Sequence, residues 1–93
     1  MTKKQLVVTG YKKSSVKKAI NIISTFAQKY DVKVGDKPVH HFSLVKYQPV
    51  LHGANISDLT IYSVYIIGNL KNIKKLMNIN TPKGVIIELL PVK

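Results

Sequence analysis

Hydrophobic and polar positions change period several times along the chain, and each change marks an element. Gln5 to Thr9 is short, rich in β-branched residues and closed by Gly10, which predicts a first strand. From Val16 onward, apolar residues recur at Ala19, Ile20, Ile23, Phe26, Ala27 and Tyr30, the spacing of a helix buried along one stripe. Lys17, Lys18, Asn21, Gln28 and Lys29 lie off that stripe; Ser14 or Ser15 is placed to cap its start, and Asp31 and Gly35 mark its exit. Pro38 to Tyr47 leans towards strand, with Val39, His41, Ser43 and Val45 alternating against His40, Phe42, Leu44 and Lys46. Gln48 to Asp58 holds Pro49, Gly53 and Asn55 and reads as a loop or an irregular hairpin tip. Leu59 to Ile67, β-branched and aromatic, is the clearest strand. Gly68 and Asn69 break it, and Asn69 can cap a short second helix that turns Leu70, Ile73, Leu76 and Met77 inward. A turn from Asn80 to Gly84 then leads to a last buried strand, Val85 to Leu90.

The resulting order is β-α-β-β-α-β, with no repeat or linker to divide it. It predicts a single domain over residues 1–93, a split β-α-β, ferredoxin-like α+β sandwich. Two helices would cover one face of a four-stranded, mostly antiparallel sheet, and a long central hairpin would project from it.

Charge changes the picture most. Fifteen basic residues stand against four acidic ones, a formal net charge of +11, and every basic residue is Lys. Without Arg, no guanidinium fork is present for bidentate anion clamping. With no Cys, thiol catalysis and Cys-type zinc sites are excluded. A small cationic domain of this kind usually meets a polyanion, nucleic acid above all. Lys, Ile, Asn and Tyr supply 37 of the 93 residues, which is the imprint of an AT-rich genome, whether an organelle's or a microbe's. The longest nearly apolar run, Ile61 to Ile67, is far too short to cross a bilayer, so no membrane partner is expected.

The first thirty residues carry seven Lys and no acidic residue: Lys3, Lys4, Lys12, Lys13, Lys17, Lys18 and Lys29. The turn after the first strand and the start of the first helix bring Lys12, Lys13, Lys17 and Lys18 together, where a helix N-terminus already favours phosphate. Such lysines contact the backbone rather than read bases, so binding should be salt-sensitive. Lys71, Lys74, Lys75 and Lys83 form a second patch, facing RNA or serving solubility. Lys46 joins the RNA-contact candidates, with His40, His41 and His52. Adjacent histidines on a strand point to opposite faces and no Cys or carboxylate cluster completes a set, so no metal site is expected. Tyr62 and Tyr65, three apart, should face opposite ways on a regular strand. The carboxylates Asp31, Asp36, Asp58 and Glu88 are scattered singly, with no Gly-rich phosphate loop and no Ser-His-Asp order. An acylphosphatase-type enzyme of the same fold order would need an Arg. No catalytic residue and no cofactor is expected.

The C-terminal third carries a more specific signal. Leu70 to Leu89, reading LKNIKKLMNINTPKGVIIEL, resembles the ending of the small-subunit ribosomal protein S-ten family. That ending is a short helix closing on Leu-Met, a Pro- or Ala-containing turn, Gly-Val and a terminal strand. Mitochondrial members are the most similar in the turn at Pro82, Lys83, Gly84 and Val85. The first strand, the basic turn at Tyr11, Lys12 and Lys13 and the long helix also sit where the family has them, and Pro49 matches a family Pro in the central hairpin. Two departures stand out. The family's Arg-Thr-His in the third strand falls at Tyr62, Ser63 and Val64, so contacts made by that Arg and His are absent, and the turn before the second helix is shorter.

The resemblance implies a structural, non-catalytic protein in the head of the small ribosomal subunit, bound to rRNA and to neighbouring ribosomal proteins rather than to a second copy of itself. The hairpin would wedge between them, making Pro49, Val50, Leu51 and Ile56 the protein-contact candidates. The implied location is the mitochondrial ribosome, or the cytoplasm of an AT-rich microbe. Two other functions stay open on the residues alone: a freestanding RNA- or DNA-binding module, and a protein-interaction subunit whose lysines serve only solubility.

Overall fold

A computed structural model describes residues 1–47 and 57–92, with side chains described throughout except at 41, 43–47, 57 and 58. The elements are β1 (Thr2–Gly10), α1 (Lys13–Lys29), β2 (Lys33–Val34), β3 (His40–Tyr47), β4 (Ser57–Gly68), α2 (Leu70–Leu76) and β5 (Val85–Pro91). The fold is α+β, a split β-α-β sandwich of ferredoxin-like type, as the hydrophobic pattern predicts. β1 is central, antiparallel to β4 on one side and to β5 on the other. The far edge of β4 is shared by β2 and β3, so five strands occupy four positions. Between β2 and β3 the chain still follows β4, with Gly35 N–H donating to the Tyr65 carbonyl at 2.8 Å and Val39 N–H to the Ser63 carbonyl at 2.7 Å.

Register assigns the two faces, because directly paired residues share a face and side chains alternate along a strand. Leu6 pairs with Val64 and Leu89, and Val8 with Tyr62 and Ile87. That face is closed by Val16, Ala19, Ile23 and Ala27 of α1 and by Ile73 and Leu76 of α2, all buried with Leu6, Val8, Val64 and Ile66. Gln5, Val7, Thr9, Ile61, Ser63 and Tyr65 lie on the opposite face, which neither helix covers.

Several details depart from the pattern. The cap of α1 is Lys12, not Ser14 or Ser15. Its extended backbone lets its carbonyl accept from Ser15 and Val16 N–H, both at 3.1 Å, and no side chain caps the helix. At the other end Asp31 adopts φ 56°, Val32 N–H reaches the Ala27 carbonyl at 2.8 Å and Asp31 N–H reaches the Gln28 carbonyl at 3.4 Å. This is a Schellman termination, with Asp31 where glycine is usual and Val32 buried beneath it. Asn69 caps α2 as expected, its Oδ1 accepting from Lys71 N–H at 2.9 Å. Leu70, however, is exposed at the first position of α2, whereas Ile73 and Leu76 are buried and Met77 packs partly buried against the core. The last strand is an edge, half-exposed in alternation, rather than a buried strand.

One glycine is required by packing. A Cβ built on Gly10 would stand 3.0 Å from Val16 Cγ2 and 3.1 Å from the Gly84 carbonyl oxygen, where β1, α1 and the turn into β5 meet. The carbonyl belongs to the backbone and cannot swing aside. Gly10→Ala is therefore expected to destabilise the fold by about 1–3 kcal/mol, read as a lower urea midpoint at unchanged slope.

Candidate nucleic-acid interface

β3 does not keep the alternation its sequence predicts. His40 pairs with Ser63 but Ser43 with Ile61, so β3 uses three steps where β4 uses two. The extra residue is a β-bulge, within which Phe42 takes φ 50°. Its position matters for the site. In regular alternation Phe42 would share the uncovered face with His40; the bulge carries it to the helix side. There its ring lies 5.0 Å from the ring of Tyr62, tilted by 40°. A left-handed conformation costs a bulky residue about 1–3 kcal/mol, and the aromatic packing offsets it.

Two lysines converge on the same ring. Lys13 and Lys17, one helical turn apart, hold their Nζ atoms 5.7 and 5.4 Å from the centre of Phe42. Each contact is worth about 0.5–1 kcal/mol at an exposed site. The two ammonium groups also repel each other by a few tenths of a kcal/mol at this spacing, and the first turn of α1 holds no acidic residue to compensate. The positive end of the helix dipole adds to the same potential. Lys12 and Lys18 are exposed on the same first turns. Lys83 lies close by along the backbone: it precedes Gly84, whose carbonyl approaches Gly10 at the end of β1, two residues before the Lys12 cap.

The other N-terminal lysines lie elsewhere. Lys3 and Lys4 stand at the opposite end of β1, and Lys29 at the opposite end of α1, about 25 Å away along a 17-residue helix. Lys3 reaches the uncovered face, with Nζ 4.6 Å from the Tyr65 ring. Lys29 and Lys75 flank Tyr30 at 6.0 and 5.6 Å, beside a Phe26–Tyr30 stack at 5.8 Å. Here Lys29, Lys74 and Lys75 occupy the last turns of their helices. They complement negative dipole ends, a structural role that leaves less field for an external anion. The seven lysines of the first thirty residues therefore do not form one cluster. Four stand at the start of α1, while Lys3, Lys4 and Lys29 lie at the far ends of β1 and α1, with Lys3 on the uncovered face. The four at the start of α1 have the stronger attraction for phosphate.

Tyr62 and Tyr65 face opposite ways, as their spacing predicts, Tyr62 towards the helices and Tyr65 on the uncovered face. His40 is exposed. His41 and Lys46 lie in β3, with side chains outside the described set, and Pro49, Val50, Leu51, His52 and Ile56 lie outside the described residues. Sequence reading did not place Phe42 beside the lysines, because a bulge leaves no mark in the hydrophobic pattern. The spacing of Lys13 and Lys17 was the available signal.

Fold and charge together define a strongly basic ferredoxin-like domain with lysines gathered round an aromatic pair. No protein-family model matches the chain, and no curated protein matches it. No helix among the described residues is long and apolar enough to cross a membrane.

Proposed function

We propose that this protein is a non-catalytic, RNA-binding constituent of a small ribosomal subunit, of the S-ten type, acting in translation. The observation that carries the reading is the cluster of Lys13 and Lys17 about Phe42 at the unbalanced positive end of α1. A phosphate placed between these ammonium groups relieves their repulsion and meets the favourable end of the dipole. Lys12, Lys18 and Lys83 extend the same field along an RNA backbone. Lys is suited to this contact and poor at reading bases, which fits a structural partner of folded rRNA.

The resemblance over Leu70 to Leu89 supports the ribosomal assignment, and its pieces coincide with folded elements: α2 closes at Leu76, Gly84 takes φ 81° in the turn, and β5 ends the fold. The AT-rich composition supports a mitochondrial ribosome, or the ribosome of an AT-rich microbe.

Sedimentation tests the proposal. A tagged chain expressed in its native cell is expected in near-stoichiometric amount in the small-subunit peak of a sucrose gradient, and to stay there at moderate salt. Exclusion from that peak, with salt-sensitive binding to isolated RNA, would replace the ribosomal reading with a freestanding nucleic-acid binder. Absence of both would leave a protein-interaction subunit.

A further inference from the structure

The sheet face that the helices leave uncovered differs sharply in charge from the helix side. It presents Val7, Ile61, Tyr65, Ile67, Ile86 and Leu90, with Ile86 63 % and Leu90 40 % exposed. Among the described strand residues its charges are Lys3 and Lys33 at one end and Glu88 in the middle of β5, whereas Lys12, Lys13, Lys17, Lys18, Lys29 and the lysines of α2 belong to the helix side. β5 is also the sheet's edge: it pairs with β1 alone among the described residues, so the outward backbone groups of Val85–Pro91 have no strand partner there. Two shallow hollows border this strand. One, of about 270 Å³, lies between Thr9, Leu59 and Ile86; the other, of about 410 Å³, lies between Gln5, Tyr65 and Leu90. Four residue steps along the strand take Ile86 to Leu90, roughly 13 Å, and Glu88 sits midway.

We infer that the free edge of β5 receives an extended segment of a different polypeptide, added to the sheet as a further strand. On the uncovered face, that segment carries apolar side chains beside Ile86 and Leu90 and a Lys or Arg beside Glu88, an apolar-x-basic-x-apolar pattern. Backbone pairing supplies the attachment and the alternate side chains supply selectivity. A second copy of this chain is disfavoured on two counts. Antiparallel self-pairing that sets Ile86 against Leu90 also sets Glu88 against Glu88, and each copy brings a charge of +11. RNA is disfavoured because Glu88 repels phosphate and bases do not satisfy a strand edge. The inference rests on the reading of this protein as part of a ribonucleoprotein assembly and adds which face meets protein there.

The chain has no native Cys, so Ile86→Cys and Lys17→Cys each introduce a single thiol. Its access to a maleimide can be compared in the free chain and in the native sedimenting complex. The thiol of Ile86→Cys is expected to react in the free chain, to be protected in the complex, and to remain protected after RNase. The thiol of Lys17→Cys is expected to be protected in the complex and released by RNase. For Ile86→Cys, release by RNase, reactivity throughout, or protection in the free chain each overturns the strand-addition proposal, in favour of RNA, no partner or a second copy respectively. A reactive thiol in Lys17→Cys beside a protected one in Ile86→Cys instead overturns the RNA assignment alone, and a chain that sediments by itself overturns both. Glu88→Lys adds a sign test: incorporation should fall roughly fivefold if a cation faces position 88, and a rise would point to phosphate and overturn the proposal.

Discussion

Replacing Lys12, Lys13, Lys17 and Lys18 together by Gln should flatten the salt dependence of RNA binding by up to about 3–4 units in the log–log slope, at ~0.9 per lost duplex phosphate contact. The same relation gives about two orders of magnitude less change in affinity between roughly 50 and 200 mM salt. The expectation is specific in position, since these side chains occupy the first turns of α1 and the N-cap. The same treatment of Lys29, Lys74 and Lys75 should change the slope much less, because those groups sit at helix C-termini where the dipole opposes an anion. Titration of both variants against rRNA fragments at several salt concentrations checks the contrast. Equal slopes for the first variant and the parent would move the interface away from α1.

The second large effect is on stability. Ile66 is fully buried near the C-terminal end of β4, paired with Lys4 of β1 and Val34 of β2. Truncating it to a methyl group loses the transfer free energy of the removed carbons and leaves a cavity that the sheet on one side and the helices on the other cannot close. Ile66→Ala is expected to cost about 2–5 kcal/mol, a large share of the roughly 5–15 kcal/mol typical of such domains. At roughly 4–8 °C per kcal/mol for a chain of this size, the melting temperature should fall by about 10 °C or more. Ile86→Ala, on the uncovered face of the same sheet, should change stability by less than about 0.5 kcal/mol. Calorimetry or circular-dichroism melts distinguish the two directly.

The contrast between Ile66 and Ile86 also marks how far the sequence can be read. Both lie in β-branched runs, and β5 was expected to be buried because Val85-Ile86-Ile87 and Leu89-Leu90 look apolar throughout. Its burial instead alternates, since a strand at the edge of a one-sided sandwich is covered only on the face towards the helices. Hydrophobicity records what a residue prefers and not how many layers the fold places around it. The short β2 was likewise invisible: two residues pairing with Ile66 and Ile67 form no pattern of their own.

What the chain determined by itself is the succession of its two helices and four longer strands, the inward stripe of α1, the Asn69 cap, the opposed directions of Tyr62 and Tyr65 and the density of unopposed positive charge. All of these depend on local spacing or on composition, which the covalent order fixes. What the tertiary structure decided is which distant groups meet. The bulge in β3 carries Phe42 to Lys13 and Lys17, the approach of Gly84 to Gly10 draws Lys83 towards the start of α1, and the length of α1 holds Lys29 well away from it. Those meetings depend on strand register and on backbone contacts between residues far apart in the chain, so no local window of the sequence contains them.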